Sequence, residues 1–279
     1  HMARAPLNVA VQLVQFLFFG VLLGLTYWRV PGLASGGTFD RVASLWFVVA
    51  TLVLQPAQNA VAVFSRERAL LRREVGHRLY SFGAYFLAKT ITALPIQLAF
   101  ILAFSGLVYA MVGFQAGAAQ FACFYGILAL VGITSDAVGQ LAAALHREIV
   151  VGQILNGMVC LLLLMFTGFI QTKTPPYFEW LKESSYVAFA YAAIVKNEFA
   201  GLEAPAPGAA AAAAAAAKRL PPGSPYPDLP MVDGLELVPK NVSNGLSMGQ
   251  DFGWLIGIAI AIRIATYFWI NLAIKRHWL

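Results

Sequence analysis

Apolar runs long enough to cross a lipid bilayer recur six times along this chain, over residues 9–28, 42–64, 86–112, 121–145, 150–169 and 252–272. A span needs about 20 mostly apolar residues, and as a helix it satisfies its own backbone groups where no water can. Six such runs leave little chain for a water-soluble core. Of the 279 residues, 59% are hydrophobic and only 11% are charged, whereas about a quarter of a soluble domain is charged. The pattern predicts an all-α, integral, multi-pass membrane protein. GFQAGAAQ between the third and fourth runs and HREI between the fourth and fifth read as tight hairpins. The first run reads as a mature span, because no small-residue cleavage site follows it. His1-Met2 reads as a cloning remnant, so the natural start is expected elsewhere.

Orientation follows the basic residues of the short loops. Arg4, then Arg66, Arg68, Arg72, Arg73 and Arg78, then Arg147, then Lys275 and Arg276 alternate with the weakly charged GLASGGT and GFQAGAAQ. Both termini are therefore expected on the cytoplasmic side, and residues 171–250 on the other. The net charge of +6 is spent on this signal. The basic residues lie in short clusters between spans, so no nucleic-acid partner is expected. Within the long outer loop, PPYFEWLKESSYVAFAYAAIVKNEF is apolar enough for a helix dipping into the outer membrane face. Residues 204–230 then form an Ala/Pro-rich low-complexity stretch. Asn241-Val242-Ser243 matches a glycosylation acceptor, with Asn241 as the candidate site.

The chain carries no phosphate-binding loop, since it has no Gly-Lys dipeptide at all. LASGG (33–37) and LSMGQ (246–250) faintly resemble an ATPase signature peptide but fall in outer loops, where no nucleotide domain could sit. Neither metal-ligand spacing nor a nucleophile elbow appears, so no catalytic and no metal residues are expected. Cys123 and Cys160 lie inside apolar runs and imply no disulfide framework.

Polar residues inside spans are costly in lipid and therefore informative. Gln55, Gln58 and Asn59 share a helical face beside Pro56, and Gln153, Asn156 and Gly157 make a similar face in the fifth run. Each face suits either a cavity wall and subunit seam or ordinary bonding within one bundle. Lys89 and Arg263 read as structural or snorkelling bases. Asp136 is the one acid deep in a span, either a paired structural acid or a proton relay.

Charge concentrates at one place: residues 66–78 hold seven charged side chains in thirteen positions. Leu71, Val75 and Leu79 recur at i, i+4 and i+8, while Glu74 and Arg78 are spaced as an ion pair. An amphipathic helix at the cytoplasmic surface is expected. A lipid anchor needs only positive charge. The interleaved Glu67 and Glu74 suit docking onto a protein instead.

The stretch from 63 to 114 resembles the second-to-third-span region of subfamily G ABC transporters, the White/breast-cancer-resistance group. The resemblance is carried by Phe64, Glu67-Arg68, Arg73-Glu74, Gly76 to Tyr80, Tyr85–Lys89, Leu94-Pro95 and Tyr109–Gly113. The Gly-to-Tyr step holds two more residues here than in the family. FTGF at 166–169, residues 176–203 with their closing Asn-Glu-Phe, and AIRIATYFWINLAIKR near the C-terminus resemble the family's later elements.

That resemblance implies the membrane domain of a half-transporter, with six spans, a coupling helix and a re-entrant outer helix, and with the nucleotide-binding domain absent from this chain. Glu67, Arg68, Arg72, Arg73, Glu74, Arg78 and Tyr80 would dock on that domain. It would be N-terminal in the same polypeptide and would supply ATP and Mg²⁺; this chain itself would hold no cofactor. A second half-transporter, the same or different, would complete a substrate cavity lined by Leu52, Gln55, Asn59, Gly157, Leu161 and Leu164. Phe169 and Ile170 would form an apolar plug above it. The implied function is ATP-driven export or flipping of lipidic or amphipathic substrates, in contact with membrane lipids, in the plasma membrane or an organelle membrane. The alternatives are a proton-coupled secondary transporter using Asp136 and a non-transporting membrane scaffold.

Overall fold

A computed structural model describes residues 6–30, 38–76, 82–146, 148–171, 175–205, 231–233, 242 and 245–275. Helix α1 is Pro6–Thr26, α2 Thr38–Gly76, α3 Phe82–Val112, α4 Ala118–Leu145 and α5 Ile149–Met165. A 3₁₀ turn at Pro176–Phe178 leads into the short α6, Glu179–Glu183, and then α7, Tyr186–Phe199. Strands β1, Glu203–Pro205, and β2, Met231–Asp233, pair antiparallel. Helix α8, Met248–Lys275, closes the described chain.

The expected all-α membrane architecture is present. Five helices, α1, α2, α3, α4 and α8, are long and apolar enough to cross a bilayer, and α5 is a shorter apolar helix of 17 residues. The fifth run was expected to reach 169, but its helix stops at Met165. Gly168 takes a positive φ of 87°, a backbone state that suits glycine and turns the chain back after α5. The second run departs the other way: α2 does not end near 64 but runs unbroken through Pro56 to Gly76.

Helices α2 and α4 form the central pair, with α1 and α3 on one flank, α5 packed on α2, and α8 on α4. Small residues set this spacing, as they do wherever membrane helices approach closely. A Cβ on Gly139 would run into the backbone carbonyl of Ala57 and lie 2.9 Å from its Cα, so α4 meets α2 backbone to backbone there. On the α1–α3 seam, a Cβ on Gly24 would sit 2.8 Å from Met111 Cβ.

Helix α7 is buried on nearly every side, which accounts for its all-round apolar sequence. It is a core helix packed between α4 and α8 more than one lying in lipid. Its last turn ties together the end of the bundle opposite the charged tip of α2. Lys196 bonds Asp251 at 2.6 Å and the Leu246 carbonyl at 2.8 Å. Asn197 donates to the Gln120 carbonyl at 3.0 Å. Glu198 pairs with Arg41 and accepts the Gln115 backbone N–H at 3.1 Å. Burial pushes the Glu198 carboxyl up, and the Gln115 N–H and Arg41 oppose that rise.

Candidate coupling segment and cavity

The end of α2 carries the charged stretch, and its residues divide between two surroundings. Glu67 forms an ion pair with Lys89 on α3 and accepts a 3.0 Å hydrogen bond from the Tyr85 hydroxyl. The Lys89 ammonium also lies 5.6 Å from the centre of the Phe64 ring, a favourable cation–π placement. Arg68 donates to the Ala143 carbonyl on α4. Leu71 is 2% exposed, in a cluster with Phe64, Phe82, Ala143 and Ile270. Arg66, Leu70 and Arg73 face outward. The apolar face expected to rest on the membrane surface therefore packs, at Leu71, on the protein's own bundle. Arg73 in the last turn of α2 also complements the negative end of the helix dipole. The side chains of Arg72 and Glu74, and the whole of Arg78 and Tyr80, lie outside the described residues.

The six cavity positions separate. Leu52, Gln55 and Leu164 are buried inside the protomer, with Gln55 only 6% exposed. Both polar atoms of the Gln55 side chain lack a hydrogen-bond partner, as does Asn156 Nδ2. Leu161 points away from the bundle at 60% exposure. Gly157 does lie on the α2–α5 seam: Gln58 Nε2 is 3.3 Å from where its Cβ would be, and that nitrogen donates to the Gln153 carbonyl at 3.2 Å. Asn59 lines a cavity of about 240 Å³ within one protomer, bounded by α1, α2, α3 and α4.

The plug positions also differ from each other. Phe169 sits in an aromatic box, 5.6 Å from the Trp46 ring, 6.0 Å from Phe39 and 6.2 Å from Tyr191. Trp46 Nε1 donates to Thr167 Oγ1 at 3.0 Å, and the Tyr191 hydroxyl donates to the Val42 carbonyl at 3.0 Å. Ile170 is 54% exposed. Reading the sequence alone missed Trp46, Thr167 and Tyr191, because they reach Phe169 only through the fold. Deeper in the bundle, Asp136 pairs with Arg263 at 3.2 Å and accepts from Gln140 at 2.8 Å. It is a partnered carboxylate, and Arg263 is its counter-charge. Asn241 and residues 206–230 lie outside the described residues.

The bundle of long apolar helices carries a charged helical extension at one end, and residues 1–199 match the family described as ABC-2 type transporter. The chain belongs to that family. Within it, the similar proteins are G-family members. The chain is 28% identical to ABC transporter G family member 7 of Arabidopsis thaliana over 66% of its length and 25% of the relative's. It is 28% identical to Protein white of Drosophila melanogaster over 72% of its length and 29% of the relative's. With ABC transporter G family member 5 of Dictyostelium discoideum the identity is 27%, over 71% of this chain and 13% of the relative. The matched region is thus less than a third of each of these relatives.

Proposed function

We propose that this chain is the membrane half of an ATP-driven exporter or flippase for lipidic or amphipathic substrates. It works with a nucleotide-binding domain, N-terminal in the same polypeptide, which holds ATP and Mg²⁺, and with a second half-transporter. The observation that supports this best is the continuity of α2. Its 39 residues make a rod about 58 Å long at about 1.5 Å per residue, roughly twice the hydrocarbon thickness. One rigid element therefore joins the membrane interior to a charged end where a soluble domain could dock. Glu67–Lys89 and Leu71 fix the inner face of that end, leaving Arg73 outward as a docking charge.

Closure of the nucleotide-binding domains would press on residues 67–80 and tilt α2, shifting the bundle between two packings. The α2–α5 seam at Gln58 and Gly157 and the outward Leu161 suit the wall shared with the second half-transporter. Phe169 and Ile170 would close its outer end. The basic residues of the short loops support cytoplasmic termini, and the membrane would be the plasma membrane or an organelle membrane.

The test is substrate-stimulated ATP hydrolysis and vesicle transport by the full-length protein bearing Arg73→Ala. Arg73 is exposed, so the variant should fold as well as the parent while transport per ATP falls severalfold. Unchanged coupling would remove the docking role of this segment. Glu67→Ala is a less clean probe, since it also leaves Lys89 unpaired.

A further inference from the structure

The 240 Å³ cavity lies inside one protomer and owes nothing to a second copy. Its chemistry is graded along the bundle. At the end nearest the charged tip of α2 stand Arg66, the Glu67–Lys89 pair, and Asp136 with Gln140. Midway come the amides of Gln12, Asn59 and Gln97; Gln97 donates to the Gly132 carbonyl at 2.9 Å. Among the described residues Gln12 and Asn59 have no hydrogen-bond partner. The far end is closed by Phe16 and Phe100, with ring centres 6.0 Å apart. Because Arg66 is exposed, the charged end is the mouth and the aromatic end the floor.

Charge decides what fits. The two acids, Glu67 and Asp136, are matched by Lys89 and Arg263. Arg66 is left without an acidic partner among the described residues. A polar mouth with one uncompensated cation, unpaired amides behind it and an apolar floor suits a molecule with one negative charge and one tail. A volume of this size falls just below the roughly 300–1,000 Å³ of small-molecule pockets, which suits one chain.

We infer that this cavity binds a single-chain amphipath with a monoanionic head, a carboxylate or a phosphodiester, held at Arg66 with its hydrocarbon running past Asn59 to Phe16 and Phe100. The site is separate from the seam between two half-transporters and requires neither ATP nor a dimer. Its failure would therefore leave the proposed transport function standing.

The probes are a tetradecanoic acid carrying a mid-chain diazirine, the corresponding alkyl methyl phosphodiester, and the corresponding alcohol, each photolysed with the full chain in detergent micelles. Peptide mapping should place adducts on α1 and α3 around Phe16 and Phe100, and excess unlabelled acid should remove them. Arg66→Gln should raise the half-saturating concentration of whichever acid binds by roughly three- to tenfold, as the loss of one exposed charge-assisted bond does. It should leave the alcohol unaffected. Ala93→Phe, which fills the middle of the cavity, should abolish labelling by all three. Asn59→Leu supports the same reading if Ala93→Phe fails to fold, with a shift of roughly two- to tenfold for one hydrogen bond. Carboxylate and phosphodiester arms tell the two heads apart. Equal labelling by the alcohol with no effect of Arg66→Gln, or adducts spread over the outward face of α5, would overturn the assignment.

Discussion

At the scale of single residues, the polar groups inside the bundle are not equivalent. Glu67, Asp136, Glu198 and Asp251 each meet a base, at Lys89, Arg263, Arg41 and Lys196. Where the acid is buried, as at Glu198 and Asp251, breaking the pair from one side strands a charge, which costs several kcal/mol. Gln55 differs, because its whole amide is buried with no partner. An unsatisfied buried polar group costs about 1–3 kcal/mol, and a structure keeps one only if something compensates. Gln55→Leu, similar in volume, should therefore raise the thermal midpoint of the purified chain, read as the loss of its monodisperse chromatographic peak on heating. If the amide serves a second packing of the bundle, the same variant should lose transport in the full-length protein while gaining stability. A lowered midpoint would mean that Gln55 has a partner in the folded protein after all.

At the scale of elements, the apolar helices were legible because hydropathy is a local property: every expected run contains a helix, though α5 is shorter than a span. What the runs could not carry is where helices stop. The second run ends in arginines and glutamates that read as leaving the membrane, yet α2 continues to Gly76. Glu67 is neutralised by a lysine 22 positions away, and Leu71 packs on α4 and α8. Those are tertiary contacts, invisible to a window of neighbours. The substrate-cavity positions suffered for the same reason. A face of Gln55, Gln58 and Asn59 was evident, but whether it looked at a partner or into its own bundle depended on how closely α4 approaches. That approach rests on Gly139 against Ala57. Gly139→Val should force the helix pair apart, an overpacking that costs about 1–3 kcal/mol or more. Lower yield of folded protein and a lower thermal midpoint are expected, whereas Gly106→Val, with open space at its Cβ position, should change neither. Equal behaviour of the two variants would show that the α2–α4 contact yields to a branched side chain at Gly139.

At the scale of the whole molecule, the bundle is tied at both ends but by different means. One end is gathered by three successive residues of α7, Lys196, Asn197 and Glu198, which bond α8, α4 and the α2 and α3–α4 region in turn. The opposite end is gathered on α2 itself, through Glu67 to α3 and Arg68 to α4. A push on the tip of α2 can reach the α7 end only if the helix is stiff between them. Leu70 tests that stiffness, because it sits past the Glu67–Lys89 pair and faces outward. Leu70→Pro removes a helical hydrogen bond and costs the segment about 3 kcal/mol locally, with little loss of buried contact. In the full-length protein the Pro variant should keep its folded yield and basal ATP hydrolysis but lose most substrate stimulation and transport. Leu70→Ala, which preserves the helix, should retain both. If Leu70→Pro transports normally, force does not travel along α2, and the ties at Glu67 and Arg68 serve only to hold the bundle together.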